Sequence, residues 1–253
     1  MLSVIEIKSR LSSVMSLEDP FYEECLIDSR KAVQSAVKSC EKQILKQRQL
    51  EEKFEEMNAF ESVLRAKGFQ FIAGVDEAGR GPLVGPVVAG AAILPPDFKL
   101  FGLNDSKQLS ETKRDEFYDY IVENAVAWGV GICDSELIDQ INIYEATKVA
   151  MTRAIENLQI KPDYLLLDAM KLSLEIPQES FIKGDARSNS IAAASILAKV
   201  TRDRLMKDYA EKYPGYGFEK HMGYGTKEHL TAIEKLGPTP WHRMTFAPLK
   251  DRK

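Results

Sequence analysis

The sequence predicts an α/β domain built on a mixed central sheet flanked by helices, with a helical amino-terminal extension and a helical, loop-rich carboxyl-terminal part. Three observations predict it. Apolar runs of strand length recur at Phe71–Asp76, Val87–Leu94, Ala127–Cys133 and Tyr164–Asp168. Helical patterns fall between and after them, near Glu111–Asn124, Tyr144–Asn157 and Ser190–Glu211. Before them, the stretch from about Asp28 to Ala66 contains neither Gly nor Pro.

That first stretch, rich in Glu, Lys, Gln and Ala, is predicted as one long helix, which would span roughly 55 Å. Val33, Val37, Cys40 and Ile44, resumed by Leu50, Phe54 and Met57, form an apolar seam that Gln47 interrupts. The interruption favours packing on an earlier short helix or on the main domain over a dimer zipper. Gly68 is the stop signal, so residues 1–69 read as a helical extension and 70–253 as the main domain. In that domain the first three strands lie close together and predict an antiparallel meander. The fourth is entered from a helix and should run parallel to the first, giving a mixed sheet. From Tyr213 the chain reads as loop-rich, with turns at Pro214–Gly217 and Gly237–Pro240.

Composition sets limits on the function. With 253 residues, 44% of them hydrophobic, the chain is long enough to bury a sizeable core. Residues 1–17 mix Glu6, Lys8 and Arg10 into their apolar positions, and no uncharged run reaches membrane-spanning length, so a cytoplasmic protein without a membrane partner is expected. Cys25, Cys40 and Cys133 are widely spaced and odd in number, which reads as reduced thiols. A net charge of −4 argues mildly against a purely electrostatic nucleic-acid binder. It does not exclude a phosphodiester substrate, because bound divalent ions would reverse the sign of an acidic site.

The most informative stretch is Gly74-Val75-Asp76-Glu77-Ala78-Gly79-Arg80-Gly81-Pro82, which sets two adjacent acids and a glycine-flanked arginine at the end of an apolar run. Two phosphate motifs are excluded there. The near P-loop match has Arg80 for lysine and Gly81 for the hydroxyl residue, and it would place Asp76 and Glu77 inside the phosphate cradle. The near dinucleotide fingerprint is one residue off, with Pro82 deleting an amide donor.

Acids in this setting point to metal. A carboxylate emerging from a buried sheet is costly unless it is paired. Asp168 ends Tyr164–Leu167 as Asp76 ends its own run, and Asp185 stands just before a helix that Ser188 or Ser190 can cap. Alone, Asp185 reads as a capping acid and Asp168 as an ordinary strand-end acid. Together with Glu77 they supply oxygen ligands for two octahedral ions, which can activate water and stabilise a leaving oxygen in phosphodiester hydrolysis. His221, His229 and His242 lack a zinc spacing and read as structural or peripheral.

Several segments together resemble the ribonuclease HII family: Asp76–Gly81, Asn104-Asp105-Ser106-Lys107-Gln108-Leu109-Ser110, Leu167-Asp168-Ala169, Lys183-Gly184-Asp185 and Ala198–Asp203. His221–Thr226 and His242-Arg243 continue the likeness, which covers about residues 70 to 250. The resemblance implies a ribonuclease H-like fold and an endonuclease that cleaves RNA within RNA:DNA hybrids. It also implies incision 5′ of ribonucleotides embedded in duplex DNA, leaving 3′-hydroxyl and 5′-phosphate ends, with roles in ribonucleotide excision repair and DNA replication. It assigns Asp76, Glu77, Asp168 and Asp185 as catalytic ligands of two Mg²⁺ or Mn²⁺ ions. Gly79, Arg80 and Gly81 would read the 2′-hydroxyl, the group that separates the two sugars. Tyr224 would pack on the deoxyribose to the 3′ side and Lys107 would meet a phosphate, although a core tyrosine and a solvated lysine would look the same in sequence.

Ribonuclease HIII resembles this family in fold, but usually has a small hydroxylated residue or glycine where Arg80 stands, and a strand-rich amino-terminal domain. A catalytically silent hybrid-binding module is opposed by the complete acid set, and a nuclease for DNA branches by the ribose-reading turn. A monomer is expected. Lys42, Lys46 and Arg48 of the extension are followed by Glu51, Glu52, Glu55 and Glu56, which favours a solvated face; whether its helix recruits a protein partner is open.

Overall fold

The structure is a computed structural model that describes residues 2–104 and 106–251; Asp105 of the Asn104–Ser110 motif lies outside the described residues. Contacts divide the chain into two compact units, one through Glu56 and one from Met57.

The first unit is helical. Helices α1 (Val4–Leu11) and α2 (Pro20–Leu26) precede the long α3 (Lys31–Met57). Ser3 and Glu6 form a reciprocal capping box on α1, and the Asp19 carboxylate caps α2 ahead of Pro20, so both starts are encoded locally. Val33, Val37, Cys40 and Ile44 of the seam bury against Ile7, Leu11, Phe21 and Tyr22, which is the predicted packing on earlier short helices. The expected single helix from Asp28 to Ala66 is in fact two. It breaks at Asn58 (φ −87°, ψ 0°), and α4 (Ala59–Ala66) starts anew.

The second unit holds the sheet, β1 (Ile72–Ala78), β2 (Val87–Ile93), β3 (Ala127–Cys133), β4 (Tyr164–Asp168) and β5 (Gln178–Phe181), in the order β3-β2-β1-β4-β5. The first three form the expected antiparallel meander and β4 runs parallel to β1. Two helices sandwich this sheet. On one face α6 (Ser135–Glu156) packs through Ala146, Ala150, Met151 and Ala154 against Ala73, Val75 and Leu165. On the other lies α7 (Asn189–Lys212), begun by the Ser188 hydroxyl accepting from Ile191 N–H.

Both helices approach the sheet through glycine. A Cβ at Gly74 would stand 2.0 Å from the Ser190 carbonyl carbon, and one at Gly90 2.2 Å from the Ala194 oxygen. On β3, Cβ atoms at Gly129 and Gly131 would lie 2.3 and 2.0 Å from the Ala154 and Ala150 oxygens of α6. The helix backbones therefore occupy the volume that side chains would otherwise fill.

Three segments depart from the sequence reading. Strand β5 went unpredicted because Gln-Glu-Ser is polar and half-exposed, and only Phe181 turns inward. Helix α6 starts nine residues before the predicted Tyr144, and Asn142 (φ 69°) kinks it where the periodic pattern was lost. The tail is more helical than its turns suggested: α5 (Glu111–Asn124) occurs as predicted, but α8 (Phe218–His221) and α9 (Lys227–Leu236) also form. Thr226 caps α9, and Ala232 and Ile233 bury in a second cluster with Leu83, Val84, Met206 and Phe218.

Because α7 has no room to yield at Gly74, Gly74→Ala should destabilise the protein by roughly 2–3 kcal/mol, as overpacking does. Equilibrium urea unfolding measures this; a change under about 0.5 kcal/mol, the scale of a surface substitution, would show that the helix can shift freely.

Candidate active site

Strand register delivers the acids. Val75 pairs with Leu167 at the end of the parallel β1–β4 ladder, so the next residues, Asp76 and Asp168, stand side by side; Asp168 ends β4 as expected, whereas β1 runs on to Ala78 against β2 and Asp76 lies inside its strand. Side chains alternate across a strand, so Asp76 shares the face of Gly74, the face on which α7 sits. Ser195 of α7 hydrogen-bonds the Asp76 carboxylate, and the Ser106 and Ser195 hydroxyls lie 3.0 Å apart. The Asn104–Ser110 segment is thereby tied to the first acid. Asp185 sits in a 3-10 turn (Gly184–Ala186), and the preceding Gly184 N–H donates to Asp168 Oδ1 at 2.7 Å.

The electrostatics are unfavourable for bare acids. Asp76 is 4% exposed. Burial, then the Glu77 and Asp168 charges, push its carboxyl well above the usual carboxylate range. Burial also raises Glu77, against the opposing pull of Arg80, whose Nη1 lies 3.4 Å from Glu77 Oε1. Glu77 Oε2 is buried without a hydrogen-bond partner among the described residues. No three acid, histidine or cysteine side chains are gathered at ligating distance among the described residues.

Glu77 lines a cavity of about 470 Å³ together with Gly79, Arg80, Gly81, Lys107 and Tyr224. The structure thus collects all five predicted substrate residues beside one acid. Asp76, Asp168 and Asp185 do not line this cavity; Ser195, bonded to Asp76, does. Tyr224 is 46% exposed, which removes the reading of it as a core tyrosine. Its ring flanks Gly81, where an added Cβ would stand 3.5 Å from Cε1. Lys107 is exposed, and its charge favours ionised Glu77.

Sequence reasoning missed what holds the turn. The buried Arg243 guanidinium donates to the carbonyls of Gly79 (2.6 Å), Arg80 (3.0 Å), Pro82 (2.9 Å) and Gly85 (2.8 and 2.9 Å). A trans peptide points its C=O and N–H in opposite directions. With the Gly79 and Arg80 carbonyls turned onto Arg243, the Arg80 and Gly81 amides face away from it. Arg202 of α7 braces the other flank through the Val84, Pro86 and Met222 carbonyls. At Gly79 (φ +95°) any Cβ would strike Arg202 Nε at 2.1 Å, so only glycine fits.

Glu61 of α4 was missed as well. It is 1% exposed, accepts from Ser188 Oγ at 2.7 Å and Ser190 N–H at 3.0 Å, and so completes the amino-terminal cap of α7. The three histidines, read separately in sequence, form one cluster: His221 and His229 stack at 4.6 Å, and His229 Nε2 lies 3.1 Å from His242 Nε2. Burial lowers the pKa of both His229 and His242, the latter to about 4.

A mixed five-stranded sheet with acids side by side on adjacent parallel strands, clasped between helices, defines a ribonuclease H-like protein. The ribonuclease HII profile matches residues 73–249, and that of the ribonuclease HII N-terminal domain matches residues 3–65. Ribonuclease HII of Bacillus licheniformis is 57% identical over 249 residues, covering 98% of each chain, and that of Bacillus subtilis is 55% identical with the same coverage. Among solved structures, ribonuclease H2 from Pyrococcus horikoshii superposes with a TM-score of 0.61 at 28% identity, over 71% of this chain and 95% of its own. Ribonuclease HII of Archaeoglobus fulgidus, solved in complex with PCNA, gives 0.60 at 26%, over 70% and 95%. The chain belongs to the ribonuclease HII family and is an endonuclease of the ribonuclease H type.

The buried acids set a pH signature. A carboxyl raised in the fold costs stability above its folded pKa and ceases to do so below it. Asp76→Asn should therefore raise the melting temperature of the protein in chelator at pH 7, with the gain shrinking on acidification; an unchanged melting temperature at pH 7 counts against buried charge repulsion. In that variant stability should still fall between pH 6.5 and 5, because His242, lowered to about 4, stays neutral in the fold while an unfolded histidine takes up a proton, and the lowered His229 acts in the same direction.

Proposed function

We propose that the protein cleaves the RNA strand of RNA:DNA hybrids and incises 5′ of ribonucleotides embedded in duplex DNA, using divalent metal ions and leaving 3′-hydroxyl and 5′-phosphate ends. The observation that carries this reading is the meeting of Glu77, the neighbour of Asp76 in β1, and the Gly79–Gly81 turn at one cavity. An acid site by itself would suit many phosphodiesters. The turn adds a reader of the sugar, because Arg243 occupies its carbonyls and leaves its amides facing away from the guanidinium, and its glycines line the cavity with no side chain to crowd a ribose edge.

The residues fit Mg²⁺ or Mn²⁺. Asp76, Glu77, Asp168 and Asp185 offer hard oxygen donors without sulfur or imidazole. Glu77 Oε2 lacks a partner, and the neighbouring acids raise the cost of leaving Asp76 ionised and unpaired. When bound, two such ions supply an activated water and stabilisation of the leaving oxygen. The chain's own side chains do the rest. Ser195 orients the Asp76 carboxylate, Arg80 and Lys107 offer charge to phosphates, and Tyr224 presents its ring beside Gly81 to the sugar on the 3′ side.

Residues 70–253 are proposed as the catalytic domain and 1–69 as an accessory extension, with a role in ribonucleotide excision repair and replication in the cytoplasm. No described helix is long and apolar enough to cross a membrane. Because Glu61 caps α7, a truncation that tests the extension is better placed at Glu56 than at Gly68.

The test is a Mg²⁺ assay on duplex DNA carrying one ribonucleotide, beside an all-DNA duplex. Selective nicking 5′ of the ribonucleotide is expected, and equal treatment of the two duplexes would reject the reading. Asp76→Asn should lower the rate by at least roughly 10³-fold while hybrid binding persists; turnover at the wild-type rate would reject the ligand assignment. Gly81→Ala separates substrate effects from folding, since its Cβ meets the protein only at ordinary contact distance. We expect stability within about 0.5 kcal/mol of wild type and cleavage slowed roughly 10²-fold; full activity would place the ribose elsewhere.

A further inference from the structure

The histidine cluster lies against the backbone of Tyr224, and its proton arrangement can be worked out bond by bond. Thr239 N–H, which can only donate, points at His242 Nδ1 at 2.8 Å, so that nitrogen accepts. Neutral His242 then carries its proton on Nε2 and donates it to His229 Nε2 at 3.1 Å. His229 must carry its own proton on Nδ1, which lies 2.8 Å from the Tyr224 carbonyl oxygen. Each bond dictates the next, so the chain from Thr239 to Tyr224 has one direction. His229 is 0% and His242 2% exposed, which leaves water no opening to substitute for a lost link. Phe218 packs edge-on to the His229 ring, with centroids 5.4 Å apart, and His221 stacks on it from another side.

The same segment also holds the turn. His242 forms a bridge with Val84, and the next residue, Arg243, places all its side-chain donors on carbonyls between Gly79 and Gly85. Asp139 of α6 anchors the two residues after Arg243, accepting from Met244 N–H and from the Thr245 N–H and hydroxyl. One dipeptide is therefore bonded on one side to the ribose-facing turn and, through His229, on the other to the Tyr224 backbone.

We propose that His229 and His242 are positioning residues for Tyr224: an oriented imidazole pair that sets the tyrosine's distance from the Gly79–Gly85 turn and so the preference for a ribonucleotide followed by deoxyribose. This rests on the reading of Tyr224 as the contact on the 3′ sugar. The pair touches no substrate. Its effect is on registry, since a tyrosine displaced relative to the turn would still allow a continuous hybrid to be cut but would grip the junction less well.

The test compares kcat/KM on a single ribonucleotide in DNA with kcat/KM on a continuous RNA:DNA hybrid, for wild type, His229→Phe, Tyr224→Ala and the double variant. The ratio should fall about fivefold to tenfold in His229→Phe, the worth of one buried hydrogen bond, and no further in the double variant than in Tyr224→Ala. Equal slowing of both substrates by His229→Phe, or an unchanged ratio, would overturn the proposal while leaving the Tyr224 reading standing. An unchanged ratio in Tyr224→Ala would overturn that reading and the proposal with it. Nitrogen-15 correlation spectra of the wild-type imidazoles need no variant to fold: opposite tautomers, Nε2–H in His242 and Nδ1–H in His229, are expected at neutral pH. The same tautomer in both would overturn the relay.

Discussion

The contact on which the rest of the second unit depends is the seating of α7 on Gly74 and Gly90. Helix backbone meets strand backbone there with no side chain between, because the ideal Cβ positions fall within 2.2 Å of α7 backbone atoms. The sequence of α7 answers in kind, with Ser190, Ala192, Ala193, Ala194, Ser195 and Ala198 all buried. Such closeness brings Ser195 within hydrogen-bonding reach of Asp76, two residues along the same face from Gly74. It also sets Arg202, two turns further on, beneath the Gly79 turn. Had the helix stood off by the width of one methyl layer, neither contact would form.

The same packing explains why the site tolerates so much buried charge. Two guanidiniums, Arg202 and Arg243, are inside the protein without a carboxylate partner among the described residues, which would be prohibitive in an apolar core. Every acceptor they use is a backbone carbonyl between Gly79 and Pro86 or that of Met222. A loop of glycines and prolines has few ladder partners for those carbonyls, and unpaired buried carbonyls are costly in their own right. Each deficit answers the other.

How much of this was legible in sequence depends on the range of the interactions. The four main strands and the acids Asp76 and Asp168 were readable because apolar runs and the residues that follow them are local, although β1 continues two residues past Asp76 through its pairing with β2. The parallel pairing that sets Asp76 beside Asp168 followed from topology. Strand β5 was not readable, since its ladder with β4 rather than its own polar residues makes it a strand. Helices α8 and α9 were hidden by the flanking glycines, although Thr226 and the Ala232–Ile233 pair carried a short local signal. The breaks at Asn58 and Asn142 were invisible, as asparagine is compatible with a helix and only tertiary contacts decide. Arg243, Glu61 and the histidine relay were out of reach for a simpler reason: Arg243 bonds residues about 160 positions away and Glu61 bonds residues 127 and 129 positions away, and no periodicity reports such pairs.

Glu61 bears on how the two named segments of the family fit together. The amino-terminal profile ends at residue 65 and the catalytic one begins at 73, yet the compact second unit already starts at Met57. Helix α4 therefore belongs to the amino-terminal profile by sequence and to the second unit by packing. Leu64 buries with Ile72, Leu166, Phe181 and Ile191, and Arg65 donates to the Leu94 carbonyl. The cap that Glu61 places on α7 steadies the end of the helix nearest Asp185, whose turn Gly184 ties to Asp168. What the break at Asn58 achieves is the freedom of α4 to follow the sheet, while α3 keeps its own seam.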